Sequence, residues 1–334
     1  MKFVFPLLSY KKHGGVRVLS FLINGLAEKG HDVFIVVPED AFEEFYKLDE
    51  KVKKILTPRR GRNPIGLLKT LFYLLVKSPP ADYVVVSFFP TFFPALLHKI
   101  LKGSKLIYYI QDLEHFFYPF PFSTLALLTY ILPTDLTICA SSWIRKKIRK
   151  GKVLSPPISE DFFESTEGLK KALNNVALVF RWDRRKRPGL ARKILKDPRF
   201  DKFNFFVIGH DPIVRKKNIH FLGTLKNKEL IEAYNGCTFF ILTSKFEGFG
   251  LPPLEAMARG CIPFSFTNTG PMDYIEDGKN GFYVETEDEL YSLMVGLLNS
   301  PKRINEMSER CISTATQFTK ENFLAEFEKS LNSP

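Results

Sequence analysis

Two glutamates, Glu247 and Glu255, stand on either side of a seven-residue stretch rich in glycine and proline. The segment is Phe-Glu-Gly-Phe-Gly-Leu-Pro-Pro-Leu-Glu, and it follows an apolar run typical of a buried strand. Glycine frees the backbone for close approach by a ligand, and proline suits the first turn of a helix. We therefore predict Glu247 in a loop before a helix and Glu255 about one turn inside it. The unpaired amides at the start of that helix favour a phosphate, and carboxylates pair well with vicinal sugar hydroxyls.

These residues need a scaffold that brings strand ends together. The chain alternates short apolar or aromatic runs with helical patterns, which is typical of a parallel sheet covered by helices on both faces. In the first half the pattern predicts a helix over 64–77 and a strand over 105–110. Residues 158–168 are predicted to form a polar connector. A second series then begins, with a helix over 188–196 and a strand over 204–209.

We therefore expect an α/β protein built from two doubly wound, Rossmann-like domains that face each other across a cleft. Open α/β sheets bind ligands at the carboxyl ends of their strands, so the cleft is the expected site. The predicted domains are 1–155 and 156–316. The segment 317–334 is predicted to form a C-terminal helix that packs back on the N-terminal domain.

The segment around the two glutamates resembles the signature of retaining glycosyltransferases of family 4, which have the GT-B fold. The likeness continues through Gly260–Pro263 and Gly270–Phe282, with weaker agreement along nearly the whole chain. It implies an acceptor-side N-terminal domain and a C-terminal domain that binds a nucleotide sugar. It also implies that Glu255 binds the ribose hydroxyls and that Glu247 lies against the donor sugar. Backbone amides of the turn would hold sugar and phosphate oxygens: those of Gly248, Phe249, Gly250 and Leu251.

Two cations follow the first strand of the second half. The family has Gly-Arg and then Lys-Gly at this place, and Arg181 and Lys186 have the same spacing. By resemblance they would neutralise the departing diphosphate, as a metal ion does in other transferases. This chain departs from the family with Phe180 in place of glycine and with Arg187-Pro188 after the lysine. Because further arginines lie close by, the choice of cations that contact the phosphates stays open.

Two further positions are implied on the donor side. Gly14 and Gly15 follow the first strand and resemble the family's Gly-Gly loop, whose backbone approaches the donor phosphate and leaves room for the sugar. A simple tight turn is the alternative. Leu225 precedes a predicted helix and is the expected backbone contact to the nucleobase.

On the acceptor side the chain departs from its relatives. Many family members have a histidine at the end of one N-terminal strand, where this chain has Gln111 and Asp112. The sequence Gln-Asp-x-Glu-x-x-Phe-Tyr resembles the rhamnosyltransferase-like branch of the family. Asp112 is the predicted acceptor-side polar group, with Glu114 as the other candidate, and a capping role for the strand-end aspartate stays open.

Composition and residue spacing indicate which metals, cofactors and polyanions the chain can bind. The four cysteines and six histidines are scattered without metal-ligand spacing, so we expect no metal and no cofactor apart from the nucleotide-sugar substrate. The net charge of +12 attracts polyanions. Basic residues cluster at 51–77, beside an apolar run, and at 145–152, which suits either an anionic membrane surface or an ordinary lysine-rich surface. No apolar run is long enough to span a membrane, and the four scattered cysteines are typical of a reduced, cytosolic protein. We therefore expect a cytoplasmic protein, associated with the inner face of the cell membrane if the basic clusters bind anionic lipid.

The expected function is transfer of a hexose or deoxyhexose from a nucleotide-diphosphate sugar to a glycan or lipid-linked glycan, as in cell-surface polysaccharide synthesis. The resemblance implies retention of anomeric configuration, with the departing diphosphate taking the acceptor proton. A sugar-nucleotide epimerase with the same fold and a non-catalytic polyanion binder are the alternatives. Nucleic acid is not an expected partner, because no recognition helix, zinc module or RNP-like motif is present.

Overall fold

The computed structural model describes residues 1–59, 63–166 and 171–332. Part of the basic segment 51–77 and the end of the expected connector lie outside these described residues. The chain divides into two compact units. The first contains Met1–Pro157 and the segment that begins at Lys320, and the second is Ile158–Thr319.

The first unit is built on a parallel sheet of seven strands in the order β3-β2-β1-β4-β5-β6-β7. The strands are β1 (Lys2–Pro6), β2 (Asp32–Pro38), β3 (Lys53–Thr57), β4 (Tyr83–Val86), β5 (Lys105–Ile110), β6 (Leu136–Cys139) and β7 (Lys152–Val153). The helices that connect them are α1 (Gly14–Glu28), α2 (Pro64–Lys77), α3 (Phe89–Lys102), α4 (Phe122–Ile131) and α5 (Ser142–Ile148).

The second unit repeats the plan with six parallel strands in the order β10-β9-β8-β11-β12-β13. The strands are β8 (Ala172–Phe180), β9 (Asn204–Gly209), β10 (Ile219–Gly223), β11 (Cys237–Leu242), β12 (Ile262–Ser265) and β13 (Phe282–Tyr283). The helices are α6 (Pro188–Lys196), α7 (Asn227–Asn235), α8 (Leu251–Ala258), α9 (Glu287–Leu298) and α10 (Pro301–Ala315).

The central strands are buried on both faces, as parallel strands between two helical layers must be. Every residue of β11 is buried, and Phe3, Val4 and Phe5 of β1 are fully enclosed. The structure therefore confirms two Rossmann-like domains with parallel sheets. In each sheet the chain reverses direction across the strand order, between β1 and β4 and between β8 and β11. Loops that leave the carboxyl ends of such neighbouring strands form the ligand crevice of this fold class.

The predicted connector after the first unit is not a polar linker. Ile158 and Phe162 are fully buried, and a short 3-10 helix spans Glu160–Phe163. The buried guanidinium of Arg259, which is 1% exposed, donates hydrogen bonds to the carbonyl oxygens of Phe162 and Glu164. The connector is therefore anchored to the second unit. The sequence analysis did not predict this anchoring, because the few apolar residues of the connector carry no periodic signal.

The C-terminal helix α11 (Lys320–Asn332) packs on α1 of the first unit. Leu324 lies against Gly25, where an added Cβ would come within 2.8 Å of Leu324 Cγ. Two ion pairs join the C-terminal end of α1 to α11, with Lys320 Nζ 2.6 Å from Glu28 and Lys29 Nζ 2.5 Å from Glu328. Glycine at position 25 is therefore required by close helix–helix approach.

Replacing Gly25 by alanine should push α11 away from α1. We expect Gly25→Ala to lower the free energy of unfolding by ~1–3 kcal/mol through overpacking, less the helix-propensity gain of up to about 1 kcal/mol. The control is Gly296→Ala in α9, where an added Cβ has no atom within 4 Å. Urea unfolding of both variants checks the expectation, and a Gly25→Ala protein as stable as the Gly296→Ala protein would contradict it.

Candidate active site

Two loops meet where the strand order of the second sheet reverses. They follow β8 and β11 and carry Lys186 and Glu247. The Lys186 ammonium lies 2.5 Å from Glu247 Oε1, and the Ser244 hydroxyl donates a 2.6 Å hydrogen bond to the same oxygen. The side chain of Glu247 is 11% exposed and that of Lys186 is 30% exposed, so a ligand can reach the pair from the lysine side. The structure thus brings two predicted site residues into direct contact.

Hydrogen bonds between the two loops hold the pair in position. The Thr243 hydroxyl donates to the carbonyl oxygen of Lys186 at 2.8 Å, and the Lys245 amide donates to that of Arg185 at 2.7 Å. Asp183 caps the turn that ends at Lys186 by accepting the Arg185 amide at 2.9 Å. Hydrogen bonds from the Arg185 guanidinium hold the pKa of Asp183 below its usual value. The charge of Arg185 therefore stabilises the loop itself, through its ion pair with Asp183.

The remaining cations of this loop are arranged differently. The guanidinium of Arg187 lies 5.8 Å from the ring centroid of Phe266, and Arg184 is exposed. Arg185 is paired with Asp183, and Lys186 is the cation that contacts the carboxylate of Glu247. Of the cations that the sequence left open as phosphate ligands, the structure thus favours Lys186.

The main chain of Glu247 is fixed by a third loop. Its amide donates to Thr269 Oγ1 at 2.8 Å, and its carbonyl accepts the Gly270 amide at 3.0 Å. A Cβ at Gly270 would come within 2.6 Å of the Gly248 carbonyl oxygen and of the Phe249 nitrogen. Gly270 is therefore needed for the 269–270 segment to approach the turn this closely. This contact was not predicted, although Gly270 lies inside the stretch that carried the resemblance.

The glycine-rich turn leads directly into helix α8, which begins at Leu251. Gly250 has a left-handed backbone with φ of 91°, which glycine adopts without strain, and its carbonyl accepts a hydrogen bond from the Tyr274 hydroxyl. Pro252 and Pro253 occupy the first turn, as predicted from the sequence. The start of α8 thus presents backbone amides and the positive end of the helix dipole beside Glu247.

Glu255 lies one turn into α8 and is 3% exposed. Burial raises the pKa of Tyr274 well above its usual value, and the negative charges of Glu247 and Glu255 raise it further. The glycine turn also contacts Tyr274 directly, through the Gly250 carbonyl and the Phe249 ring. Sequence reasoning did not identify Tyr274 as a site residue.

Arg181 and Leu225 lie on the same edge of the second sheet. Arg181 is the first residue after β8 and is exposed. Its Cγ lies 3.9 Å from the position that a Cβ would take at Gly209, the last residue of β9. Leu225 is half-buried in the loop between β10 and α7. Both predicted positions are therefore at carboxyl ends of strands, where this fold class binds ligands.

In the first unit the predicted glycine loop opens helix α1. Gly14 and Gly15 are its first two residues, and the Gly15 amide donates to Nδ1 of His13 at 3.2 Å. The Gln111 side-chain amide donates to the Gly15 carbonyl at 3.1 Å and to the Ser87 hydroxyl at 2.7 Å. Gln111 therefore ties together the loops that follow β1, β4 and β5. Sequence reasoning noted Gln111 only as a departure from the family.

The acceptor-side candidates differ in accessibility. Asp112 is half-buried, and its carboxylate accepts the Leu113 amide at 2.8 Å. Glu114 is 8% exposed and accepts the Phe89 amide, at the start of α3, at 2.8 Å. Burial raises the pKa of Glu114 to about 8, and the nearby Asp112 charge adds to the rise. The Glu114 carboxylate is thus engaged by the first turn of α3, and Asp112 is the more accessible of the two carboxylates.

Two protein-family models and several solved structures match this chain. Residues 13–159 match the family model described as Glycosyltransferase Family 4, and residues 191–318 match the one described as Glycosyl transferases group 1. The structure superposes on that of Anabaena Alr3699/HepE in complex with UDP-glucose with a TM-score of 0.79 and 15% identity over the full length of both chains. This chain is a GT-B glycosyltransferase.

Two curated relatives of this glycosyltransferase differ in how much they share with it. An uncharacterized 41.2 kDa protein in the cps region of Klebsiella pneumoniae is 28% identical over 311 residues, which cover 82% of the glycosyltransferase and 84% of the relative. A probable sucrose-phosphate synthase of Thermosipho melanesiensis is 33% identical over 98 residues, 28% of the glycosyltransferase and 23% of that protein. The glycosyltransferase thus aligns with about a quarter of the second relative's length.

Two further observations concern metal ions and membrane-spanning helices. Within residues 1–59, 63–166 and 171–332, no group of three or more His, Cys, Asp or Glu side chains is arranged to hold a metal ion. Over the same ranges, no helix of the glycosyltransferase combines the length and apolar character needed to cross a bilayer.

The raised pKa of Glu114 predicts a pH-dependent stability. In the unfolded chain a glutamate has a pKa of about 4.3, so between about pH 4.5 and 8 the native protein binds more protons at Glu114 than the unfolded chain does. The free energy of unfolding should therefore fall as pH rises through this range, by up to ~1.4 kcal/mol per pH unit from this group.

Glu114→Gln keeps an acceptor for the Phe89 amide and cannot ionise. We expect it to be more stable than the unsubstituted protein near pH 8, with the difference shrinking toward about pH 4.5. Urea unfolding at both ends of the range measures this. Equal pH slopes for the two proteins would show that Glu114 titrates as an ordinary surface carboxylate.

Proposed function

We propose that this glycosyltransferase moves a hexose or deoxyhexose from a nucleotide-diphosphate sugar to a glycan or lipid-linked glycan, with retention of configuration and without a metal ion. The contact between Lys186 and Glu247 at the reversal point of the second sheet is the observation that carries this proposal. A role in cell-surface polysaccharide synthesis is supported by the cps-region relative of Klebsiella pneumoniae. A nucleotide-sugar donor is supported by the Anabaena structure in complex with UDP-glucose.

Lys186 can serve both the carboxylate and the diphosphate. An ammonium group has three donors, so the bond to Glu247 leaves donors for phosphate oxygens. Arg181, exposed at the end of β8, adds a second positive charge. As the sugar–phosphate bond breaks, negative charge grows on the leaving diphosphate, and cations fixed nearby stabilise it more than they stabilise the donor. This pair performs the task for which other transferases use a metal ion.

Glu247 and Glu255 have distinct proposed tasks. Glu247 is held by Ser244, Lys186 and the 269–270 segment, so its free carboxylate oxygen can accept hydrogen bonds from sugar hydroxyls in a fixed position. Glu255, one turn into α8, binds the ribose hydroxyls. The amides from Gly248 to Leu251 hold phosphate and sugar oxygens at the start of the helix.

The proposed reaction is a front-face substitution. The acceptor hydroxyl oxygen forms a bond to the anomeric carbon, and the bond from that carbon to the diphosphate oxygen breaks. The proton of the hydroxyl passes to the departing diphosphate, so no protein base is required. The protein contributes alignment and charge stabilisation. In the first unit, Asp112 is proposed to orient the acceptor, and Gly14 and Gly15 leave room for the sugar.

Loss of the site cation should be far more damaging than loss of an ordinary ion pair. We expect Lys186→Ala to lower kcat/KM by ~10²–10³-fold, because one stabilising group is removed from the transition state. The matched control is Lys193→Ala, which removes a lysine 2.8 Å from Glu287 in the same unit and should leave kcat/KM within about twofold. Activity with nucleotide sugars, and melting temperature as a check on folding, provide the measurements.

Glu255→Gln should raise the dissociation constant for the nucleotide by roughly tenfold or more, because a charge-assisted bond to the ribose is weakened. The donor is found first by thermal shift with a panel of nucleotide sugars that includes dTDP-rhamnose and UDP-glucose, since a ligand of the native state raises the melting temperature. For the Lys186→Ala prediction above, transfer at the rate of the unsubstituted protein would remove the basis of the proposal.

Stereochemistry and metal dependence test the mechanism separately. Proton NMR of the first product should show the same anomeric configuration as the donor, and EDTA should leave the rate unchanged. An inverted product would contradict retention, and activity lost with EDTA but restored by a divalent cation would contradict the metal-free mechanism. Formation of a different sugar nucleotide from donor alone would instead identify an epimerase.

A further inference from the structure

Exposed apolar side chains are concentrated on one part of the first unit. Among the described residues, 14 of the 22 large hydrophobic side chains that are exposed lie on α2, on α3, or on α4 and the loop before it. The second unit, of similar size, has five. Soluble proteins rarely gather exposed apolar groups in this way unless the surface has a binding function.

The three helices form one continuous surface. α2 packs on α3 and α3 packs on α4. Each helix connects parallel strands in the same direction along the sheet, and right-handed crossovers place such helices on the same side. We call this surface the α2–α4 face.

Helix α2 is oriented with an apolar stripe toward solvent. Ile65, Leu68, Phe72 and Val76 recur every three or four residues, and they are between 52% and 67% exposed. In the usual amphipathic helix of a soluble protein this stripe faces the core. In α2 the buried residues are instead Thr70 and Leu74.

Helix α4 extends the surface with a segment that has no charge. Residues 116–134 contain no Lys, Arg, Asp or Glu. Phe120 is 82% exposed and Ile131 is 78% exposed, at the two ends of α4. Leu101 of α3 is 68% exposed. Aromatic and aliphatic groups presented in this way are suited to insertion among lipid acyl chains.

The charge of the same region is strongly positive. Residues 51–134 contain eleven Lys or Arg and three Asp or Glu, and 51–81 contain no acidic residue. Lys53, Lys54 and Lys99 are paired with Asp32, Glu44 and Asp135 outside that range, which leaves eight Lys or Arg against three Asp or Glu. Lys69 and Lys77 of α2 are exposed. Lys69 stands four residues after Ile65 and three before Phe72, so it lies on the same side of the helix as the stripe. Its aliphatic stem can lie along the apolar surface while the ammonium reaches outward.

We propose that the α2–α4 face is a docking surface for an anionic lipid bilayer. The apolar side chains enter the boundary between headgroups and acyl chains, and the lysines contact lipid phosphates. A second copy of the chain fits this face less well, because a two-fold symmetric contact sets the same positively charged surface of both copies together. The proposal depends on the first unit alone, and it extends the proposed function by bringing the enzyme to a lipid-linked acceptor.

Vesicle binding tests the proposal without any glycosyl transfer. We expect the full chain to sediment with vesicles that contain phosphatidylglycerol and much less with pure phosphatidylcholine, with binding that falls as salt rises. The double variant Lys69→Glu, Lys77→Glu should weaken the partition into anionic vesicles by roughly 25-fold, taking about fivefold for each lysine. Phe72→Ser with Phe120→Ser should also abolish most of the binding, because it removes the inserted apolar groups.

Matched controls separate the face from general effects. Lys228→Glu with Lys302→Glu makes the same change of net charge on exposed residues of the second unit, and Leu173→Ser removes an apolar side chain of that unit that is 40% exposed. Both should bind anionic vesicles as the unsubstituted protein does, and all variants should keep its melting temperature. Lys186→Ala should also bind normally, so a failure of the proposed function leaves this result unaffected.

Three outcomes would overturn the proposal. One is equal binding to neutral and anionic vesicles. Another is loss of binding as great in the control variants as in the α2–α4 variants. The third is absence of vesicle binding together with a dimer, seen by sedimentation, that Phe72→Ser with Phe120→Ser dissociates, which would assign the face to a second copy of the chain.

Discussion

A carboxylate that is almost cut off from water is stable as an ion only beside a positive charge or strong hydrogen-bond donors. Glu247 has both, in Lys186 and Ser244. Because the lysine follows β8 and the glutamate follows β11, this one contact fixes two loops together at the point where the sheet reverses. The segment at 269–270 then closes on the same turn, and this requires a glycine at 270. The ionic contact and the 269–270 segment together hold the glycine-rich turn that leads into α8.

The two units use the same position in the fold in different chemical ways. In the second unit, ionised side chains lie at the strand reversal, which suits a charged phosphate and a polyhydroxyl sugar. In the first unit, the corresponding loops are joined by the neutral amide of Gln111, which contacts Gly15 and Ser87. The link itself is neutral, and the charge at this edge comes from neighbouring side chains such as Asp112.

The sequence predicted most of what depends on local patterning. The bounds of α2, β5, α6 and β9 match the structure because amphipathic helices and buried strands have strong periods, and Pro64 and Pro188 mark helix starts. The elements that were missed lack such a signal. β3 is a lysine-rich edge strand, and α4 is apolar on all sides, so it shows no polar face. In the site, the glycine turn and its acidic residues followed from the motif. The part played by Tyr274 did not, because it depends on tertiary packing from 24 residues away.

The packing of α11 on α1 has a consequence for biosynthesis. Residues 158–319 leave the ribosome before α11 is made, so the second unit can complete its core while Gly25, Phe3 and Tyr109 still lack their contacts with Leu324, Phe327 and Phe323. During that interval the apolar side chains that α11 later covers are exposed, and such surface is prone to aggregation. The ion pairs from Lys29 and Lys320 then select the correct helix for that surface when it emerges. Shortening the chain at its carboxyl end would therefore damage the first unit more than the second.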